Sequence, residues 1–164
     1  MGENPSHIFN VGAPGVENIF RLKLHDREEV EQRIGLELGS RSLLVTFHPS
    51  TMEQGKCGKH FSNLLNVLGR LDQTNIVFTK ANADTEGRLI NEMIDEFVST
   101  RSSAVAHTSL GQIAYLSLMR MVSGMVGNSS SGIIEAPSFQ IGTVNIGDRQ
   151  KGRVRAESVI DCDV

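Results

Sequence analysis

Ser42-Leu43-Leu44-Val45-Thr46-Phe47-His48-Pro49 is the stretch that decides the fold. Its apolar run has strand length and is continuous rather than alternating, as in a strand covered on both faces. Proline cannot donate to a ladder and keeps the residue before it out of helical geometry, so the strand stops at His48-Pro49. The same unit recurs along the chain. Asn75-Ile76-Val77-Phe78-Thr79, Ser103-Ala104-Val105-Ala106, Met125-Val126 (ending in Gly127-Asn128) and Thr143-Val144-Asn145-Ile146 read as further strands, the last being the final clear one.

Helical patterns fill the intervals. Residues 27–38 carry Val30, Ile34 and Leu38 at spacings of four, with Gly39-Ser40 as the stop. Residues 59–71 place Phe61, Leu64, Leu65, Leu68 and Leu71 on one face. Asp84 is a plausible cap for a helix carrying Leu89, Ile90, Met93, Ile94, Phe97 and Val98. Residues 110–122 form another helical pattern, and Ser129-Ser130-Ser131-Gly132 opens one that runs to about Ala136. Near the start, Phe9-Asn10-Val11-Gly12-Ala13-Pro14-Gly15 reads as a strand end turning into a loop. Strands alternating with helices predict an α/β domain: a Rossmann-like parallel sheet with helices on both faces. Ligands bind such sheets at the carboxyl ends of the strands. Four loops would open there: His48-Pro49-Ser50-Thr51, Asn82-Ala83-Asp84, the loop from Asn128 to Gly132, and Asp148-Arg149-Gln150.

Bulk properties narrow the partners. The 164 residues suffice for one domain with a proper core, and a formal net charge of -3 offers no general attraction to nucleic acid or anionic membrane. Phosphate binding would have to be local. Cys57 and Cys162 are far apart in sequence, which fits free thiols in a reducing cytoplasm rather than a disulfide scaffold or thiolate zinc site. Met1-Gly2-Glu3-Asn4-Pro5 lacks the charged start and apolar run of a signal peptide. The most apolar region, residues 104–126, is interrupted by His107, Gln112 and Arg120, too soon for a membrane helix. His7, His25, His60 and His107 show no metal-ligand spacing, so no metal is expected.

The loop between Gly127 and Gly132 is the most informative chemically. A helix start offers free backbone N–H groups to an anion, and Ser129, Ser130 and Ser131 add hydroxyl donors. Gly132 would let a ligand approach the backbone. Glu135 follows one turn in, where its carboxylate could accept from two vicinal hydroxyls, as on a ribose. The competing reading is a serine cap cluster with a solvated first-turn acid. The motif is neither a P-loop nor Gly-x-Gly-x-x-Gly. His48 could bind phosphate or act as an acid, or simply pack at a strand end. Arg149 sits in a glycine-bounded basic loop and pairs well with phosphate, whereas Lys151, Arg153 and Arg155 read as solvated charges.

Val45-Thr46-Phe47-His48-Pro49, the block from Gly127 to Pro137 and the block from Val144 to Arg153 resemble the UDP-N-acetylglucosamine 2-epimerase family. They look most like its hydrolysing branch, which releases N-acetylmannosamine and UDP for sialic-acid-type sugars. The resemblance covers nearly the whole chain. It implies the C-terminal half of a glycosyltransferase-B-like architecture of two Rossmann-like domains. Residues 1–164 would be the UDP-binding domain, facing an N-terminal domain of the same enzyme that carries the acid and base. It also implies a homo-oligomer and no cofactor. By matching motifs, Ser129 and Ser130 would hold the diphosphate and Glu135 the ribose, with Ser131 and Gly132 also binding UDP, Arg149 and His48 near the phosphates and Asn82 lining the site. Two departures bear on this: no segment here corresponds to the N-terminal domain, and no closing helices follow Val164. Pro49-Ser50-Thr51 after His48, where the non-hydrolysing branch tends to have arginines, favours the hydrolysing branch. A non-hydrolysing epimerase, a glycosyltransferase of the same fold and a non-catalytic nucleotide-sugar-binding module stay open as alternatives.

Overall fold

A computed structural model describes residues 4–49, 55–82 and 84–163. Ser50, Thr51 and Ala83 of the loops above lie outside the described residues. The described chain forms a six-stranded sheet from β1 (Ser42–Thr46), β2 (Asn75–Thr79), β3 (Ala104–His107), β4 (Gly124–Gly127), β5 (Gly142–Ile146) and β6 (Val159–Cys162). Every pairing is parallel, in the order β3-β2-β1-β4-β5-β6. Helices α1 (Pro14–Arg21), α2 (Arg27–Ile34), α3 (Cys57–Gly69), α4 (Thr85–Ser99), α5 (Gln112–Met121) and α6 (Ser131–Ile134) complete the fold.

Side chains alternate across a strand, and the two cores divide accordingly. Val45, Ile76 and Phe78 point to one face and pack with Phe61, Leu64 and Leu68 of α3 and Ile90 and Ile94 of α4. Leu44, Val77 and Met125 point to the other and meet Val30 and Ile34 of α2 and Leu118 and Met119 of α5. Helices thus cover both faces, as the continuous apolar runs predict. The coverage is uneven on the α3 side. There an apolar groove of about 260 Å³ runs beside α3, lined by Leu43, Val67, Val126, Val144 and Ile146.

Three elements differ from the sequence reading. Pro14-Gly15 opens α1 instead of a loop, because proline at the first helical position gives up only an N–H that would be unpaired anyway. α2 ends at Ile34, earlier than the spacing suggests, since Gly35 takes left-handed backbone (φ 68) and its N–H bonds back to Glu31 O. Leu38 is still fully buried, but from the following turn. The start of α2 is a capping box, with Asp26 Oδ1 accepting from Glu29 N and Glu29 Oε2 accepting from Asp26 N. Finally, β6 extends the sheet beyond the last predicted strand; its Val159-Ile160-Asp161-Cys162 is short, mixed in polarity and largely exposed, so it carries no continuous apolar run to detect. Among the described residues no helix is long and apolar enough to cross a membrane.

At the end of β4, Gly127 has φ 134, and a Cβ there would lie 2.0 Å from Thr46 O of β1. Gly127→Ala should therefore destabilise the domain by about 2–4 kcal/mol through backbone strain and forced separation of the central strands. Urea unfolding measures this; a loss below about 0.5 kcal/mol, the range of an ordinary surface substitution, would contradict the packing described.

Candidate functional site

The strand order turns outward in both directions from the β1–β4 pair: the chain leaves β1 toward β2 and leaves β4 toward β5. That reversal opens a crevice at the carboxyl ends of β1 and β4, the place where doubly wound sheets receive ligands. His48 lies just past β1, and the loop beginning at Asn128 follows β4, so the two motifs flank one crevice.

Asn128 joins them. Its side chain is buried, and its carboxamide makes a two-bond clamp on the backbone of His48: Oδ1 accepts from His48 N at 2.7 Å, and Nδ2 donates to His48 O at 2.8 Å. Its own N–H bonds to Thr46 O at 3.1 Å. Its carbonyl accepts from Arg149 Nη1 at 3.1 Å and from Gln150 Nε2 at 2.8 Å. One residue therefore ties together the loops after β1, β4 and β5. Sequence reading passed over Asn128 and Gln150 as members of loops without roles of their own, although a buried asparagine must satisfy both ends of its amide.

The serine turn is shorter than a helix dipole argument needs. α6 spans Ser131–Ile134, and a 3-10 turn, Ala136–Phe139, follows it. With so few aligned peptides, anion affinity rests on individual donors rather than on a macrodipole. Ser131 N bonds to Ser129 Oγ, and Gly132 N to Ser129 O. The N–H groups of Ser129 and Ser130 have no acceptor among the described residues. Gly132 serves packing: a Cβ there would meet Thr143 Cγ2 at 2.6 Å, and Thr143 Oγ1 donates to Gly132 O. The lack of a side chain at Gly132 is thus required by the packing of α6 on β5.

Below the turn stands Tyr115 of α5, the single tyrosine of the chain. Its hydroxyl faces Ser129, Ser131 and Thr46. Thr46 in turn shares a short hydroxyl contact with Thr79 of β2. Burial, first of all, raises the Tyr115 pKa, and the nearby Glu135 charge adds to it, so the phenol stays a neutral donor. Helix periodicity offers no sign of this role; the residue reads as core.

Glu135 closes α6 on the opposite flank. Its Oε2 is buried and has no hydrogen-bond partner among the described residues. Its Oε1 lies against the start of α1, 2.8 Å from where a side chain on Gly15 would begin. The reading of Glu135 as a solvated acid does not fit a buried oxygen. Beyond Tyr115, an open recess of about 310 Å³ is lined by Thr79, Thr108, Leu110, Gly111 and Gln112. Asn82 sits exposed past β2 and bonds to none of the other candidate residues, so the structure does not gather it with them. Asp84 caps α4 by accepting from Gly87 N at 2.7 Å, and its charge also reaches His48.

The electrostatics favour an arriving anion. Burial is the main cause that lowers the His48 pKa, the Arg149 cation lowers it further, and Asp84 partly opposes them. The Arg149 pKa is also lowered, by burial and then by Arg153, while the guanidinium remains charged. A cation and a neutral imidazole thus share a crevice edge with two free amide donors.

The family description UDP-N-acetylglucosamine 2-epimerase matches residues 1–164. The chain belongs to this family. It is 38% identical to a GDP/UDP-N,N'-diacetylbacillosamine 2-epimerase (hydrolyzing) of Campylobacter jejuni, over 100% of this chain and 43% of that protein. It is likewise 38% identical to the polysialic acid biosynthesis protein P7 of Escherichia coli, over 100% of this chain and 42% of that one. The chain therefore spans less than half the length of these curated relatives. Among solved structures, the S. aureus MnaA-UDP co-structure superposes with a TM-score of 0.65 at 12% identity, covering 92% of this chain and 40% of that one. The fold is the Rossmann-like α/β sheet of glycosyltransferase-B-like epimerases and transferases, as the family resemblance implies.

Because the folded protein holds His48 below the ordinary 6.5, stability from its neutral form is present above 6.5 and is lost as pH falls through the lowered value. His48→Asn should flatten that part of the acid-side decline. A proton-carbon NMR titration reads the group directly, and a His48 signal titrating at or above 6.5 would contradict the burial described.

Proposed function

We propose that the chain is the UDP-holding, C-terminal domain of a cytoplasmic, hydrolysing UDP-N-acetylglucosamine 2-epimerase, with an N-terminal domain of the same enzyme across the cleft. The substrate class is a UDP-2-acetamido sugar. UDP leaves C1 with the electrons of the C1–O bond while a base removes the C2 proton on the opposite face, giving a glycal. Water then adds its hydroxyl to C1 and a proton returns to C2 from the other side, releasing a free sugar of the N-acetylmannosamine type and UDP. The acid and base for these transfers come from the N-terminal domain. The enzyme works as a homo-oligomer.

The observation that carries this reading is the unpartnered, buried Oε2 of Glu135. A buried carboxylate oxygen without a donor is costly, and a ribose supplies two vicinal hydroxyl donors. The recess beside Tyr115, whose phenol feels the Glu135 charge, offers room for the uracil ring. At the other end of the same turn, the free N–H groups and hydroxyls of Ser129 and Ser130, with Ser131 behind them, suit the diphosphate. Arg149 supplies a positive charge that offsets the negative charge a leaving diphosphate gains, and His48, whose pKa burial lowers, is poised to hydrogen-bond it. Gly132 contributes by letting the turn pack closely on β5, and Asn82 lies at the outer rim. The hydrolysing outcome is supported by Pro49 after His48 and by the name of the Campylobacter relative, a hydrolyzing 2-epimerase.

Glu135→Ala should cost about 1–3 kcal/mol of affinity for UDP and for uridine alike, since both carry the ribose. Ser129→Ala and Arg149→Ala should weaken UDP more than uridine. Calorimetry separates these patterns, and equal losses for the two ligands in the latter variants would remove their phosphate role. For the reaction, the full reading frame is incubated with UDP-N-acetylglucosamine in D2O and followed by proton NMR. The expected products are UDP and free N-acetylmannosamine bearing deuterium at C2. UDP-N-acetylmannosamine would assign the non-hydrolysing reaction instead, and transfer to an acceptor sugar would assign a glycosyltransferase.

A further inference from the structure

Arg155 reads in the sequence as one of several solvated charges, and Lys151 behaves so, pairing with Asp148 at the surface. Arg155 does not. Its side chain is 28% exposed and its Nε is buried. Its guanidinium grips the Asp161 carboxylate through Nη1 and donates from Nη2 to Gln150 O at 3.3 Å. Asp161 is on β6, directly across from Asn145 of β5, and its Oδ1 accepts from Asn145 Nδ2 at 2.8 Å. Gln150 passes the chain of bonds on, through Nε2 to the Asn128 carbonyl that also receives Arg149 Nη1. The inner links of this path are buried, Gln150 being 2% and Asn128 3% exposed, as is the side branch to Asn145 at 1%, while the Asp161 side chain at the outer end is 49% exposed.

The path runs from the edge strand β6 through Arg155 and Gln150 of the segment after β5 to the loop after β4, and it ends on the carbonyl that receives the Arg149 guanidinium. The segment it braces is otherwise lightly held: residues 151–154 are exposed and lie between the Arg149 turn and Arg155. The fork geometry matters here, because two different acceptors, a carboxylate and a carbonyl, are spanned by one planar group. We propose that Arg155 and Asp161 are positioning residues for the diphosphate grip: they hold the loop after β5 so that Arg149 is aimed at the crevice. This rests on the phosphate role of Arg149 proposed above. Neither residue touches the ligand; both act through Gln150, Asn128 and Arg149.

The test uses the full-length protein containing this chain, with calorimetric affinities for UDP and uridine. Arg155→Ala and Asp161→Asn are each expected to weaken UDP by about three- to ten-fold, the range of coupled neighbours, and to leave uridine within about two-fold. Arg155→Lys should not restore UDP affinity, since an ammonium cannot bridge both acceptors. In an Arg149→Ala background, adding Arg155→Ala should cost nothing further. Unchanged UDP affinity, equal losses for UDP and uridine, or losses that add to that of Arg149→Ala would each overturn the proposal. If Arg149→Ala alone fails to separate UDP from uridine, the phosphate role of Arg149 falls and this inference with it. If Arg149→Ala separates them and the Arg155 and Asp161 variants do not, only the positioning role falls.

Discussion

A parallel sheet brings every strand end to one edge, but it does nothing to hold the loops that leave that edge. In this domain the carboxamide of Asn128 does so. Its donor and its acceptor both close on the His48 backbone, and its carbonyl takes two further donors from the loop after β5. Buried amide groups left unpaired are expensive, so the arrangement is all or none: losing one loop would strand the partners of the others. The crevice is therefore a bonded frame across β1, β4 and β5, and the ligand-facing groups hang from it.

What hangs there is divided by chemistry. Acceptor capacity sits at one end, where a Glu135 oxygen is buried beside the start of α1 without a donor. Donors sit at the other, in the amides of Ser129 and Ser130 and the Arg149 guanidinium. A nucleoside diphosphate has the opposite order, hydroxyl donors on the ribose and acceptors on the phosphates. The proposed match with such a ligand would follow from direction along the one-turn α6 and does not need a helix dipole. The Tyr115 hydroxyl faces Ser129 and Ser131 of that turn.

Glycines make the close approaches. At Gly127 the end of β4 runs so close to β1 that an added Cβ would lie 2.0 Å from Thr46 O, and Gly132 lets α6 lie on Thr143 of β5. Both positions are read easily as loop residues, yet each is fixed by what lies opposite in space. The same is true of Arg155, whose neighbours in sequence are exposed while its own guanidinium bridges β6 and the Arg149 loop.

The sequence by itself determined the α/β class, the parallel sheet, most strand and helix positions, and the loops that carry His48, Ser129, Glu135 and Arg149. Continuous apolar runs and helical spacing are local signals, and a parallel sheet puts all strand-end loops on one side regardless of detail. Only the tertiary structure decided which of those residues meet. It joined His48 and Arg149 through Asn128, buried one Glu135 oxygen and set Gly132 against Thr143 of β5. It also added β6, whose Asp161 is legible only once Asn145 and Arg155 are seen beside it. The physical reason is that hydrogen-bond partners of buried polar groups come from segments tens of residues apart. Periodicity reports which face a residue occupies and is silent about what it finds there.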